Sequence, residues 1–260
     1  MGQNRIAALR RILMTEKKVD CADLCQRFQI SMPTIRRDLD ILEREGTIRR
    51  FYGGAELIDS KKEGYLMEIV PEWNIREVAS ATEKHAIARK VVSLIPDNCT
   101  IFLDSGTTVY EIAKLLTQRS GLTVVTGALR NASLLGMCPN IETYCIGGNI
   151  RPNMLFATGL LAVESLSYFP TFDYYVLAAD GISPYGSIHE WSTENAILKR
   201  TILSRSKTTI VVADHSKFSV SVGSSVCQLK DIDYIVTDSG IDPAMVSQMQ
   251  SKGVNLILAD

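Results

Sequence analysis

Residues 34–55 read TIRRDLDILEREGTIRRFYGGA, a stretch that places the pair Arg-Arg twice within fifteen positions. Ile35, Leu39 and Leu42 stand at i, i+4 and i+7, the spacing by which a helix buries one stripe, and predict a helix over about 33–45. Turning from that stripe at about 100° per residue puts Arg37 and Arg44 nearly opposite it, with Thr34 and Arg36 on the flanks. Ser31 is placed to cap the helix. Pro33 is tolerated because first-turn amides have no intrahelical partner, and Gly46 supplies the stop. TIRRFY, residues 47–52, then reads as a strand turned by Gly53 and Gly54.

Working outward, Ile6, Leu9, Ile12 and Leu13 recur at helical spacing, giving a first amphipathic helix that ends near Lys17 and Lys18. Asp20 is a plausible N-cap for a short second helix carrying Ala22, Leu24, Cys25 and Phe28. A short helix, a tight turn, a third helix led by polar and basic residues, and a hairpin make a winged helix-turn-helix. Its third helix enters the major groove of double-stranded DNA N-terminal end first. Ser31, Thr34, Arg36 and Arg37 are the DNA-facing candidates on that helix, and Arg49 and Arg50 are those on the wing. Arginine can bond two guanine acceptors or clamp a phosphate, and threonine can serve either. The competing reading is that these arginines merely solvate a small helical domain, with Asp38, Asp40, Glu43 and Glu45 pairing locally, as Asp40 and Arg44 can at i,i+4.

Charge agrees with a polyanion partner. Residues 1–56 carry eleven Lys/Arg against eight Asp/Glu and the remainder seventeen against twenty-one, within a formal net charge of -1. No apolar run of about 18 residues appears, so no membrane partner is expected. The start MGQNRIAALRRIL lacks the apolar core and small-residue cleavage site of a secretion signal, which points to the cytoplasm. The six cysteines form no CxxC pair and have no histidine cluster beside them, so they read as ordinary reduced residues, and neither a metal nor a cofactor is expected. Residues 57–75 are poor in periodicity. They read as a linker through SKKEG and Pro71 with a docking segment in which Tyr65, Leu66, Ile69 and Trp73 pack.

From Thr82, a candidate cap for the helix TEKHAIARKVVSLI, the pattern of residues 76–260 alternates helix and strand. TIFLD, TVVT, IETYCIG, YYVLAAD, TTIVVAD, DYIVTD and VNLILAD are short apolar runs, separated mostly by amphipathic stretches. Such alternation implies an α/β domain with a mostly parallel sheet covered on both faces, and ligands of such sheets bind beyond the C-terminal strand ends. The first strand runs into Asp104, Ser105, Gly106, Thr107 and Thr108, with a helix from about Val109. A glycine that lets the backbone approach, hydroxyl donors and a helix N-terminus make a phosphate cradle, though ordinary capping uses the same residues. Later strand ends carry Arg151, Asp180, and Asp214 with Lys217, while Glu194 and Lys199 share one helix. Each alone reads as a solvent-facing polar cap; their recurrence suggests one polar site.

Residues 5–55 resemble the N-terminal domain of the DeoR family of bacterial transcriptional regulators, through Arg5, Ile12, Leu24, Phe28, Ser31, TIRRDL, Leu42, Glu43, Gly46, Ile48, Arg50 and the closing GGA. Residues 76–235 resemble its effector domain through DSGTT, GGNIR, DGIS, the Glu194 and Lys199 spacing, and ADHSKF. That domain is in turn similar to ribose-5-phosphate isomerase. The resemblance implies a repressor of carbohydrate metabolism, usually oligomeric, released from its operator by a phosphorylated sugar. The family commonly has Thr-Asn after the second strand, where this chain has Thr126 and Gly127; Asn131, one turn on, is the candidate substitute. Two rival functions are an isomerase-like enzyme with an appended DNA-binding domain, using Asp104, Asp180, Glu194 or Lys217 as base, and an architectural DNA-binding protein without a ligand.

Overall fold

The structure, a computed structural model, describes the chain except at positions 1, 17, 45–47, 52, 58–72 and 152–153. Gly46, the SKKEG segment, Pro71 and the docking residues Tyr65, Leu66 and Ile69 lie outside the described residues, as do the side chains of Arg44 and Arg49. The chain divides into two compact units, Met1–Met67 and Glu68–Asp260.

The first unit contains α1 (Gly2–Glu16), β1 (Lys18–Asp20), α2 (Cys21–Phe28), α3 (Met32–Arg44), β2 (Ile48–Phe51) and β3 (Gly54–Leu57). Leu9, Leu13, Leu24, Ile35, Leu39, Leu42, Ile48 and Ala55 form its buried core, so the expected stripe on α3 is the face that docks. Asp20 caps α2 by accepting the Ala22 amide at 2.7 Å. β1 adds a strand between the first helix and Asp20 that the sequence pattern does not announce, because three residues carry too little periodicity. It forms through a nonlocal pairing, Val19 opposite Ala55 on β3, while β3 pairs antiparallel with β2. The turn needs glycine at 54 for space, since a Cβ there would lie 2.2 Å from the Val19 carbonyl and 2.5 Å from the Phe51 ring.

The second unit runs α4 (Trp73–Val78), α5 (Ala81–Leu94), β4 (Thr100–Leu103), α6 (Thr107–Leu116), β5 (Leu122–Thr126), α7 (Leu129–Leu135), β6 (Ile141–Cys145), β7 (Asn149–Arg151) and β8 (Phe156–Thr158). It continues with α8 (Leu160–Ser165), β9 (Phe172–Ala178), β10 (Gly181–Ile182), β11 (Ser187–Glu190), α9 (Thr193–Leu203), β12 (Ser206–Val212), β13 (Ser224–Gln228), β14 (Tyr234–Asp238), α10 (Pro243–Ser251) and β15 (Asn255–Ala259). Its main sheet is parallel in the order β15-β14-β12-β9-β4-β5-β6. Alternation sorts the strand residues onto two cores. Ile101, Leu103, Val124, Val176 and Ile210 pack under α5, α6 and α7. Phe102, Val125, Tyr175, Leu177 and Val211 pack under α8, α9 and α10.

Two sequence boundaries move. Ser80, with φ of 50°, is the residue before α5, not Thr82, and α6 begins at Thr107. The order of strands matters most for function. From β4 the chain steps outward to β5 and β6, then crosses back so that β9 pairs with the other side of β4. The C-terminal ends of β4 and β9 therefore flank the point where winding reverses, where a crevice opens in such sheets. A small antiparallel sheet, β10-β11-β13, follows β9 in sequence; its strands SIHE and SSVCQ are mostly polar and carry no apolar run.

Candidate functional site

On the DNA-facing candidates the first unit makes distinctions. Arg36 and Arg37 are exposed on α3, Arg37 opposite its buried stripe and Arg36 on the flank. Thr34 is half-buried, and its hydroxyl lies 3.0 Å from that of Ser31. Asp38, which could have neutralised this face, is instead buried in an ion pair with Arg5 of α1, its Oδ1 3.1 Å from Nη2. Arg50 turns back onto α3: its Nη1 donates to Asp40 at 2.5 Å and to the Arg36 carbonyl at 3.3 Å. It braces the helix from the wing. Asp40 thus pairs across to β2. Arg49 lies on β2 with its side chain outside the described residues.

In the second unit the switch point holds a cavity of about 230 Å³. Ser105, Gly106, Thr107, Thr108, Asp180, Lys199, Asp214 and Lys217 line it, so eight of the residues singled out from separate strand ends do converge. Gly106 has φ of 116°, which excludes most side chains, and as N-cap of α6 it offers no side-chain acceptor to the first amides of that helix. An anion there would satisfy them.

Asp104, Arg151 and Glu194 stand apart from the cavity lining. Asp104 is fully buried, its Oδ1 accepting the Ser105 amide at 2.7 Å and its Oδ2 the Ala178 amide at 3.1 Å. It ties β4 to β9. Arg151 and Glu194 pair with each other at 3.0 Å.

Three further charged groups line it: Arg76 on α4, Lys84 on α5 and Glu190 at the end of β11. A search along strand ends passes over the first two, which precede the first strand of the sheet. A signal existed for Lys84, which shares the buried face of α5 with Ile87, Ala88 and Val91, an odd place for a lysine. Its Nζ donates to the carbonyls of Arg76 and Ala79, and burial pushes its pKa down.

Behind the cavity Lys199, 2% exposed, donates to Glu190 Oε2 at 2.5 Å, Asp104 Oδ2 at 3.0 Å and the Ala178 carbonyl at 2.7 Å. Burial opposes its charge, but Asp104, Glu190 and Asp180 outweigh burial and hold its pKa above the ordinary lysine value. Asp180 is pushed up to about 7 by burial and by Glu190, with which it shares a hydrogen bond. The cavity therefore brings the cations Arg76, Lys84 and Lys217 and the carboxyls Asp180, Glu190 and Asp214 together beside an open helix start. Such an arrangement can hold an anionic group together with hydroxyls. Among the described residues no cluster of His, Cys, Asp and Glu could hold a metal ion.

Gly127 is explained by packing. A Cβ there would fall 2.8 Å from the Phe156 ring, which occupies the space a larger residue would need. Asn131 does not replace a ligand group; it is buried and donates to the Asp104 carbonyl at 3.0 Å, holding the turn that leads into α6.

Residues 5–61 match the family described as DeoR-like helix-turn-helix domain, and residues 79–239 match the DeoR C terminal sensor domain. The chain belongs to the DeoR family of transcriptional regulators. It is 30% identical to the HTH-type transcriptional regulator GolR of Listeria innocua over 99% of this chain and 98% of that protein. It is 32% identical to the glycerol-3-phosphate regulon repressor of Escherichia coli over 89% and 88%. Among solved structures, ribose 5 phosphate isomerase A from Neisseria gonorrhoeae matches 53% of each chain with 18% identity and a TM-score of 0.40. As a DeoR-family protein it is a DNA-binding transcriptional regulator with a sensor domain for a small effector. Among the described residues no helix is long and apolar enough to cross a membrane.

Proposed function

We propose that this protein is a cytoplasmic repressor of a carbohydrate-metabolism operon whose operator affinity is set by a phosphorylated sugar or a closely related metabolite. The observation that carries the ligand class is the uncapped start of α6 in a cavity also lined by Arg76, Lys84 and Lys217. A phosphate group satisfies the free amides and the cations together. Residues 105–108 cradle that phosphate, and Asp180 and Glu190 hydrogen-bond the sugar hydroxyls. Asp214 accepts the Ser216 amide at 3.0 Å and so holds the turn that presents Lys217, while Lys199 holds Glu190 in place. The naming of one relative for a glycerol-3-phosphate regulon supports the same class.

Phosphorylated sugars and triose phosphates should raise the melting temperature of the purified protein, and their unphosphorylated forms should not. Equal effects from both forms across a broad panel would remove the phosphate assignment.

On the DNA side, Thr34, Arg36 and Arg37 face the major groove, with Ser31 and the wing residue Arg49 beside the backbone and Arg50 bracing the helix from the wing. Arg36→Ala or Arg37→Ala should cost about 1–3 kcal/mol of operator binding and relax base preference, if that arginine bonds a base edge. Equal losses on operator and random duplex, compared at one salt concentration, would reassign it to phosphate contact. A single helix-turn-helix reads few bases, so a homo-oligomer on paired half-sites is part of the proposal.

The carboxyl pair favours one second reading, since a carboxyl whose pKa is raised toward neutrality can move a proton beside a carbonyl. Turnover of pentose or hexose phosphates by the purified protein would establish isomerase activity; a flat time course with a ligand that binds would retire it.

A further inference from the structure

Arg76 belongs to α4, the first described element after the wing, fifteen undescribed residues downstream of β3. With only six residues, α4 cannot hold a helix by its own hydrogen bonds, so its side chains and its C-terminal end must anchor it. Trp73 is buried edge-on to Tyr110, with ring centroids 5.6 Å apart, and the Arg130 guanidinium lies 4.5 Å over its face. At the other end Lys84 grips the carbonyls of Arg76 and Ala79. The Trp73 anchor lies outside the cavity lining and involves no ligand.

The Arg76 side chain is different. It lines the cavity, and its Nε is buried without a hydrogen-bond partner among the described residues. Burial pushes its pKa down, while Asp180 and Glu190 pull it up. The guanidinium lies 5.7 Å over the Trp73 ring, and among the described residues no carboxylate is within ion-pair distance of it, so a negative group on α6 would compete with the ring for it. Lys217 follows β12, far along the chain from the DNA-binding unit, and Lys84 is fixed in the long, well-packed α5. Of the three cations, Arg76 alone sits on a short element at the entry to the sensor unit. A ligand switches a protein only by interacting unequally with its two states, and an exchange of partners at Arg76 supplies that inequality.

We propose that α4 is the coupling element: an anionic ligand on α6 draws the Arg76 guanidinium away from the Trp73 ring, resets α4 about the Trp73 anchor, and so signals to the DNA-binding unit. The proposal rests on the reading of the cavity as a phosphate site.

The test uses the full-length protein, inorganic phosphate and a panel of triose, pentose and hexose phosphates. Each compound that raises the melting temperature is expected to change amide hydrogen exchange across residues 73–80 by roughly fivefold or more, the lower end of ordinary coupling. Ligand stabilisation with unchanged exchange there overturns the coupling and leaves the phosphate site standing. A panel that stabilises nothing removes both. On a duplex selected by the protein from a random library, the ligand should alter wild-type affinity by roughly 5–150-fold. Trp73→Leu should keep the ligand-induced rise in melting temperature and lose that alteration, and Trp73→Phe, which keeps a ring between Tyr110 and Arg130, should restore it. A Trp73→Leu protein whose DNA binding still responds fully to ligand refutes the role of the anchor.

Discussion

Replacing Lys199 with methionine is expected to cost the sensor unit about 3–5 kcal/mol, because it leaves the buried carboxyls of Asp104 and Glu190 without their cation. For a unit of this size that lowers the melting temperature by roughly 10 °C. The three side chains are at most 3% exposed, so water does not take over the role of the lysine. The deficit should depend on pH. An uncompensated buried carboxylate takes up a proton, so the folded variant binds more protons than its unfolded chain and gains stability as pH falls. The gap from wild type should therefore narrow between about pH 8 and about pH 6. Melting curves across that range decide the matter; a variant that tracks wild type at every pH would mean that Lys199 does not offset those charges.

The second large effect concerns the other unit. Leu39→Ala removes a side chain with no exposed surface from the core behind α3 and should cost about 2–5 kcal/mol. A unit as small as Met1–Met67 has only roughly 3–10 kcal/mol to lose. Operator binding should fall away with the protection of α3 amides, while the melting response of the sensor unit to its ligand survives. Full operator affinity in Leu39→Ala would contradict the role of the stripe of Ile35, Leu39 and Leu42 in holding Arg36 and Arg37 outward.

That stripe illustrates what the chain spells out locally. Whether a residue belongs to a helix or a strand depends on neighbours two to four positions away, and those neighbours are written in the sequence. Helix α3, the hairpin of β2 and β3, and the parallel strands of the sensor unit are all legible in this way. The turn from β4 into α6 is legible too, because hydroxyl residues around a glycine at the start of a helix have local consequences.

The direction of each polar side chain is not legible in this way. Asp104 looks as available as Asp180 in the sequence, yet pairing of β4 with β9 turns it inward onto Lys199 and the Ala178 amide. Glu190, four residues ahead of the glutamate singled out by spacing, reaches the cavity because β11 ends there. Arg76 and Lys84 join the site from elements upstream of the whole sheet. Local periodicity determined the elements of this protein. Only the order of the strands, set by burial of both sheet faces at once and by contacts far apart in the chain, decided which charges meet.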